Sequence, residues 1–163
     1  MTGAKGRDSR AIYSVGPDEK KQIQHIYNLF EKFEVIKRNE TSYEEFEIED
    51  ADIILTAFGS MTRNIKAAMK VLREKGLKVG CFRPITLSPF PHERLLKLAE
   101  QGKKFAVVEM NMGQMYKDVK YAVEGKAEVS LINRPCGEWL SIEEIVSAVE
   151  NINKKGAVYA TSI

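Results

Sequence analysis

The sequence predicts an α/β protein on a mostly parallel sheet, and three observations carry that reading. Short apolar runs at residues 52–58, 77–82, 105–108 and 129–132 alternate with segments of helical spacing, the pattern of successive βαβ units. Glycine or proline closes most of these segments, with Gly59, Gly76 and the loop RPITLSPFP as examples. The run at 105–108 passes abruptly into Glu109, Asn111, Gly113 and Gln114. That places an acid and amides at the carboxyl end of a parallel strand, where open α/β sheets keep their ligand and partner surfaces.

The elements follow in order. Residues 1–17 are rich in Gly, Lys and Arg and end at Gly16-Pro17, which reads as a flexible leader. Over residues 18–38, Ile23, Ile26, Tyr27, Phe30 and Phe33 recur at helical spacing and predict an amphipathic helix. Tyr43, Phe46 and Ile48, set among glutamates, predict a short edge strand. The first buried strand closes at Gly59-Ser60, and Ile65, Ala68, Met69 and Leu72 mark the helix after it. The strand at 77–82 leads through the proline-rich loop to a helix carrying Leu95, Leu96 and Ala99. Met115, Val119 and Ala122 define the helix after the third strand. Residues 134–137 form a loop, and Ser141 with Glu144 is a capping box for a last helix along Ile142, Ile145, Val146, Val149 and Ile152. The domain thus runs from 18 to 153, and residues 154–163 are a tail without an assigned element.

Composition excludes several functions. The chain has 163 residues, 44% apolar and 29% charged, with a net charge of +2, which fits one soluble globular domain, or a domain plus an arm. The basic residues are interspersed with glutamates on helix faces, so nothing points to nucleic acid. No run is long enough to span a membrane and no secretory signal is recognisable; a cytoplasmic location is expected. The two cysteines, Cys81 and Cys136, are too few for an iron–sulfur cluster, and with His25 and His92 they lie too far apart in sequence to make the paired spacing of a structural zinc site.

The candidate site residues are few. Gly59-Ser60 could cradle an anion at a helix amino terminus, but without the further glycines of a nucleotide-binding loop the simpler reading is a tight turn and helix cap. Glu109 could transfer a proton, accept backbone N–H groups, or pair with Arg83. With no second acid or histidine beside it, a structural or interface role is expected. Asn111, Gly113 and Gln114 either cap the following helix or make polar contacts to another subunit. Met110, Met112 and Met115 read as adaptable core or interface filler.

In order along the chain come TGAKGR, EDADIILTAFGS, KVGCFRPITLSPFP, FAVVEMNMGQMYKDVKYAVEGK and NRPCGEWLSIEEI. Together they resemble the carboxyl-terminal domain of the alpha subunit of 2-oxoacid:ferredoxin oxidoreductases. EMNMGQM with DVKYAVEGK is most similar to the branched-chain (2-oxoisovalerate) type, then to the 2-oxoglutarate type. The resemblance implies a fold similar to the carboxyl-terminal domain of transketolases. That fold is a three-layer α/β/α sandwich with a five-stranded, mostly parallel sheet of order 1-3-2-4-5, its first strand antiparallel. It also implies a complex that oxidatively decarboxylates a 2-oxoacid to an acyl-CoA, with thiamine diphosphate, magnesium and iron–sulfur clusters held outside this chain. The implied partners are the amino-terminal half of the alpha subunit, the beta subunit and a ferredoxin-like subunit. Cys136-Gly137 departs from the family, which more often has two glycines there.

The reading is therefore a non-catalytic assembly domain, inactive by itself. Its candidate interface comprises Glu109, Asn111, Gly113, Gln114 and Arg83, and it is expected to self-associate through the helix of Ile23, Tyr27, Phe30 and Phe33. The alternative is an autonomous α/β protein that binds a small anion through Gly59, Ser60 and Glu109.

Overall fold

A computed structural model describes residues 4–8, 18–135, 139–155 and 159–161. They divide into two units, Met1–Asn39 and Glu40–Ile163, each described by itself. In the first unit, residues 4–8 are exposed and the rest of the expected leader lies outside the described residues. The helix α1 (Glu19–Glu40) starts where Asp18 accepts the N–H groups of Lys20 and Lys21 at 3.1 and 3.3 Å, a side-chain N-cap. It buries no residue; Ile23, Ile26, Tyr27, Phe30 and Phe33 all remain exposed.

The second unit is built on a sheet of order β1-β3-β2-β4-β5-β6. Its strands are β1 (Tyr43–Phe46), β2 (Ile53–Thr56), β3 (Val79–Pro84), β4 (Lys104–Glu109), β5 (Val129–Asn133) and β6 (Tyr159–Thr161). β1 pairs antiparallel with β3 at the edge, and all other pairs are parallel. The five expected strands thus stand in the expected order, and a three-residue sixth strand, from the segment left unassigned, extends the sheet beside β5.

Alternation along the strands separates two cores. Ile53, Leu55, Cys81, Ala106, Val108 and Ile132 pack against α2 (Met61–Glu74) and α5 (Ile142–Lys155). Ile54, Phe82, Phe105, Val107 and Leu131 pack against α3 (His92–Glu100) and α4 (Gln114–Ala122). Helices on both faces of the sheet give the three layers. In α3 the core-facing set is Leu95, Leu98 and Ala99. Leu96, expected in that set, is only half-buried, because the i, i+3, i+4 stripe that starts at Leu95 passes it by. The capping box forms as expected: Ser141 N–H donates to Glu144 Oε2 at 2.8 Å and Glu144 N–H to Ser141 Oγ at 3.2 Å. Among the described residues no helix is long and apolar enough to cross a membrane.

Candidate functional site

The parallel strands β3, β2, β4 and β5 end at one edge, and the chain leaves them in two directions. From β2 it turns into α2 on one face of the sheet, and from β4 into α4 on the other. β2 and β4 are neighbours, so the gap between their carboxyl ends is the topological switch point of the sheet, the usual ligand position in such folds. The turns around 59–60 and 109–114 flank it.

The β4–α4 turn is closed by its own side chains. Glu109 is 5% exposed. Its Oε2 accepts the N–H of Met115 at 3.0 Å and its Oε1 that of Tyr116 at 3.1 Å. Asn111 Oδ1 accepts the N–H groups of Gly113 and Gln114, both at 2.9 Å. A helix leaves its first four N–H groups unsatisfied; here a carboxylate and an amide take up the amino-terminal donors, and the carboxylate also meets the positive end of the helix dipole. Gly113 makes the turn possible with φ 87°, in the left-handed region, where a Cβ is disfavoured. Asn133 holds the turn from the neighbouring strand, its Nδ2 donating to the Asn111 carbonyl at 2.7 Å. Asn133 Oδ1 is buried and finds no donor among the described residues.

The candidates therefore separate. Glu109 and Asn111 are brought together, but as caps with their oxygens occupied. Gln114 is exposed. Arg83 does not pair with Glu109: its strand β3 is separated from β4 by β2, and its Nη1 donates instead to Glu44 Oε2 at 3.1 Å, the residue opposite it in the β1–β3 ladder. The expected Ser60 cap is not made either. Ser60 already has helical backbone angles, φ −65° and ψ −30°, and no side-chain capping bond, whereas a capping residue needs an extended backbone to turn its oxygen inward. At the end of β2, Thr56 is fully buried and its Oγ1 finds no hydrogen-bond partner among the described residues, but the turn itself offers no buried polar side chain. Gly59 and Ser60 are both exposed.

Met110 packs partly into one core and Met115 lies in the other, while Met112 is 67% exposed. Phe58, which the apolar run placed in a strand, is exposed just past β2, and Trp139, which no motif singled out, is exposed after β5. Cys136 lies outside the described residues.

The described residues do not fit the cofactors that the resemblance implies. The carboxylate at the switch point is committed to α4, and no group of three His, Cys, Asp or Glu among the described residues could hold a metal. Cys81 is buried, its Sγ lies 3.5 Å from the Ile65 carbonyl oxygen, and burial pushes the thiol up to about 12, the reverse of what a thiolate ligand needs.

Residues 51–145 match the profile of the pyruvate:ferredoxin oxidoreductase core domain II, a span from just before β2 into α5. The chain belongs to that family. It is similar to the ketoisovalerate oxidoreductase subunit VorB of Methanothermobacter marburgensis, 44% identical over 152 residues that are 93% of this chain and 43% of that one. The 2-oxoglutarate synthase subunit KorA of Methanocaldococcus jannaschii is 38% identical over 143 residues, 87% of this chain and 37% of that one. The fold is similar to a solved 2-oxoglutarate:ferredoxin oxidoreductase from Magnetococcus marinus, with a TM-score of 0.77 at 21% identity, over 92% of this chain and 27% of that one. This family domain thus spans less than half the length of the relatives it matches.

Proposed function

We propose that residues 18–153 serve as an assembly domain of a 2-oxoacid:ferredoxin oxidoreductase, with residues 1–17 as a leader. The complete enzyme would convert a 2-oxoacid and coenzyme A to an acyl-CoA and carbon dioxide, with reduction of ferredoxin. The greater identity to VorB than to KorA supports a branched-chain 2-oxoacid as substrate. Thiamine diphosphate, magnesium and iron–sulfur clusters belong to the partners: the amino-terminal half of the alpha subunit, the beta subunit and a ferredoxin-like subunit, in the cytoplasm.

One observation carries this reading. Among the described residues, the one buried acid at the switch point has both oxygens on backbone N–H groups of α4, so it shapes a surface, and no described acid or histidine bonds to it for proton transfer. Glu109, Asn111 and Gly113 set the form of the β4–α4 turn, and the exposed Gln114 reaches a partner from it. Arg83 contributes through the edge it stiffens with Glu44. In the isolated chain, the exposed stripe of α1 supports self-association, since large apolar patches associate in water; light scattering should find a dimer or larger species.

Calorimetry with thiamine diphosphate and magnesium is the decisive experiment. No saturable binding to the 163-residue chain is expected. Micromolar saturable binding would overturn the assignment and favour an autonomous anion-binding protein.

A further inference from the structure

Exposed apolar side chains are unevenly distributed over the second unit. Its large exposed hydrophobics, among the described residues, are Tyr43, Phe58, Ile85, Leu87, Met112, Tyr121 and Trp139. Tyr121 lies in the last turn of α4, away from the carboxyl edge. The other six share that edge. Phe58, Met112 and Trp139 follow β2, β4 and β5, and Ile85 and Leu87 follow β3. Tyr43 begins the antiparallel β1 opposite Pro84, the last residue of β3. The strands they adjoin are laterally paired at about 4.8 Å spacing, which places the six residues in a band of positions along the same end of the sheet.

We propose that this band, centred on Phe58, Met112 and Trp139, is the docking surface for the polypeptide that completes the longer subunit. The inference rests on the assembly reading above and names its surface. Two observations select the occupant. VorB shares 93% of this chain at 44% identity, yet this chain accounts for only 43% of VorB, so more than half of that subunit lies outside this domain. In addition, the turn at the centre of the band is closed by its own caps. A protein surface can therefore cover it without stranding those backbone donors, whose desolvation would otherwise cost about 1–3 kcal/mol each. Aromatic residues and methionine at the centre of a patch are the composition of interface cores, and the largest losses on truncation fall on such anchors.

The test uses the full chain and, as probe, the part of M. marburgensis VorB that this chain does not match. The probe is expressed separately and first checked for a cooperative melting transition. Wild type, Phe58→Ser, Met112→Ser, Trp139→Ala and Tyr121→Ala are compared for probe binding and melting temperature. The expected result is binding by wild type and Tyr121→Ala, with at least tenfold weaker binding by Trp139→Ala and Met112→Ser at unchanged melting temperature. Equal binding by all variants would overturn the docking surface and leave the assembly reading standing. Failure of wild type to bind the folded probe would overturn both. Patch variants that instead dissolve a self-associated species in sedimentation, with probe binding intact, would overturn the choice of occupant.

Discussion

The turns after β2 and β4 are close counterparts, each leading from a buried parallel strand into a helix at the switch point, yet they are built differently. Both contain a glycine in the left-handed region, Gly59 at φ 63° and Gly113 at φ 87°. Around Gly113, two side chains hold four backbone N–H groups and a neighbouring strand holds the turn's carbonyl. Around Gly59, the Ser60 hydroxyl caps nothing, and a Cβ would meet no atom within 4 Å. A polar cluster at a strand end is thus not by itself a ligand site. What matters is whether its donors and acceptors are already satisfied within the chain, and here the turn richer in polar groups is the more completely closed.

That contrast can be broken by mutation, and the largest effect is expected at Glu109. Glu109→Ala strips the acceptor from two N–H groups at a buried position and leaves a cavity, so it should destabilise the domain by about 2–4 kcal/mol, read by urea unfolding. Glu109→Gln keeps one acceptor oxygen and should lose less. If both variants unfold like wild type, Glu109 does not hold α4 and its burial needs another explanation.

Next come the glycines. Gly113→Ala faces an unfavourable φ and a Cβ 3.1 Å from Leu131 Cδ2, whereas Gly59→Ala faces the backbone penalty alone. The left-handed conformation costs a non-glycine residue about 1–2 kcal/mol, so both variants should melt lower and Gly113→Ala lower still. Equal shifts would mean that Leu131 yields and the contact is soft.

The caps sharpen the comparison further. Asn111→Ala should cost about 1 kcal/mol, the usual loss for a side-chain cap. Ser60→Ala should fall within about 0.5 kcal/mol of wild type, because an exposed side chain that makes no cap has little to lose. A Ser60→Ala loss as large as that of Asn111→Ala would show a cap forming in solution. Gln114→Ala should leave the melting temperature unchanged while weakening assembly.

The smallest effect concerns pH. The Ser141 backbone N–H and then Arg134 hold the Glu144 carboxyl below its ordinary value. A depressed pKa contributes stability that is fully present above the ordinary carboxylate range and is lost as pH falls through the lowered value. Acidification should therefore loosen the start of α5, and Glu144→Gln should flatten that response, as hydrogen exchange on α5 would record. Glu144 is only partly buried and its ion pair with Arg134 is reached by solvent, so the effect is modest.

Much of the fold was legible in the sequence, because burial of parallel strands on both faces forces continuous apolar runs and helix packing forces 3.6-residue spacing. The order of β1 to β5 came through the resemblance of the ordered motifs, from TGAKGR to NRPCGEWLSIEEI, to a family, since no local periodicity encodes which strand lies beside which. β6 was missed because three residues carry no period. The capping box of α5 is local, spans four residues, and was readable as written. Glu109 stands out from the residues alone, with backbone N–H groups among the partners open to it, but which groups those are is not legible there. The N–H groups it accepts lie six and seven residues ahead, around a turn whose shape depends on Gly113 and on Asn133 from another strand. The alternative in which Glu109 pairs with Arg83 fails for the same reason: side chains at one sheet edge meet only if their strands are neighbours, and β2 lies between β3 and β4. Local chemistry thus determined the elements and nominated the polar turn. Only the tertiary structure decided that this turn is closed on itself and that exposed apolar side chains lie along the same sheet end, because hydrogen-bond satisfaction and surface exposure depend on distances between residues far apart along the chain.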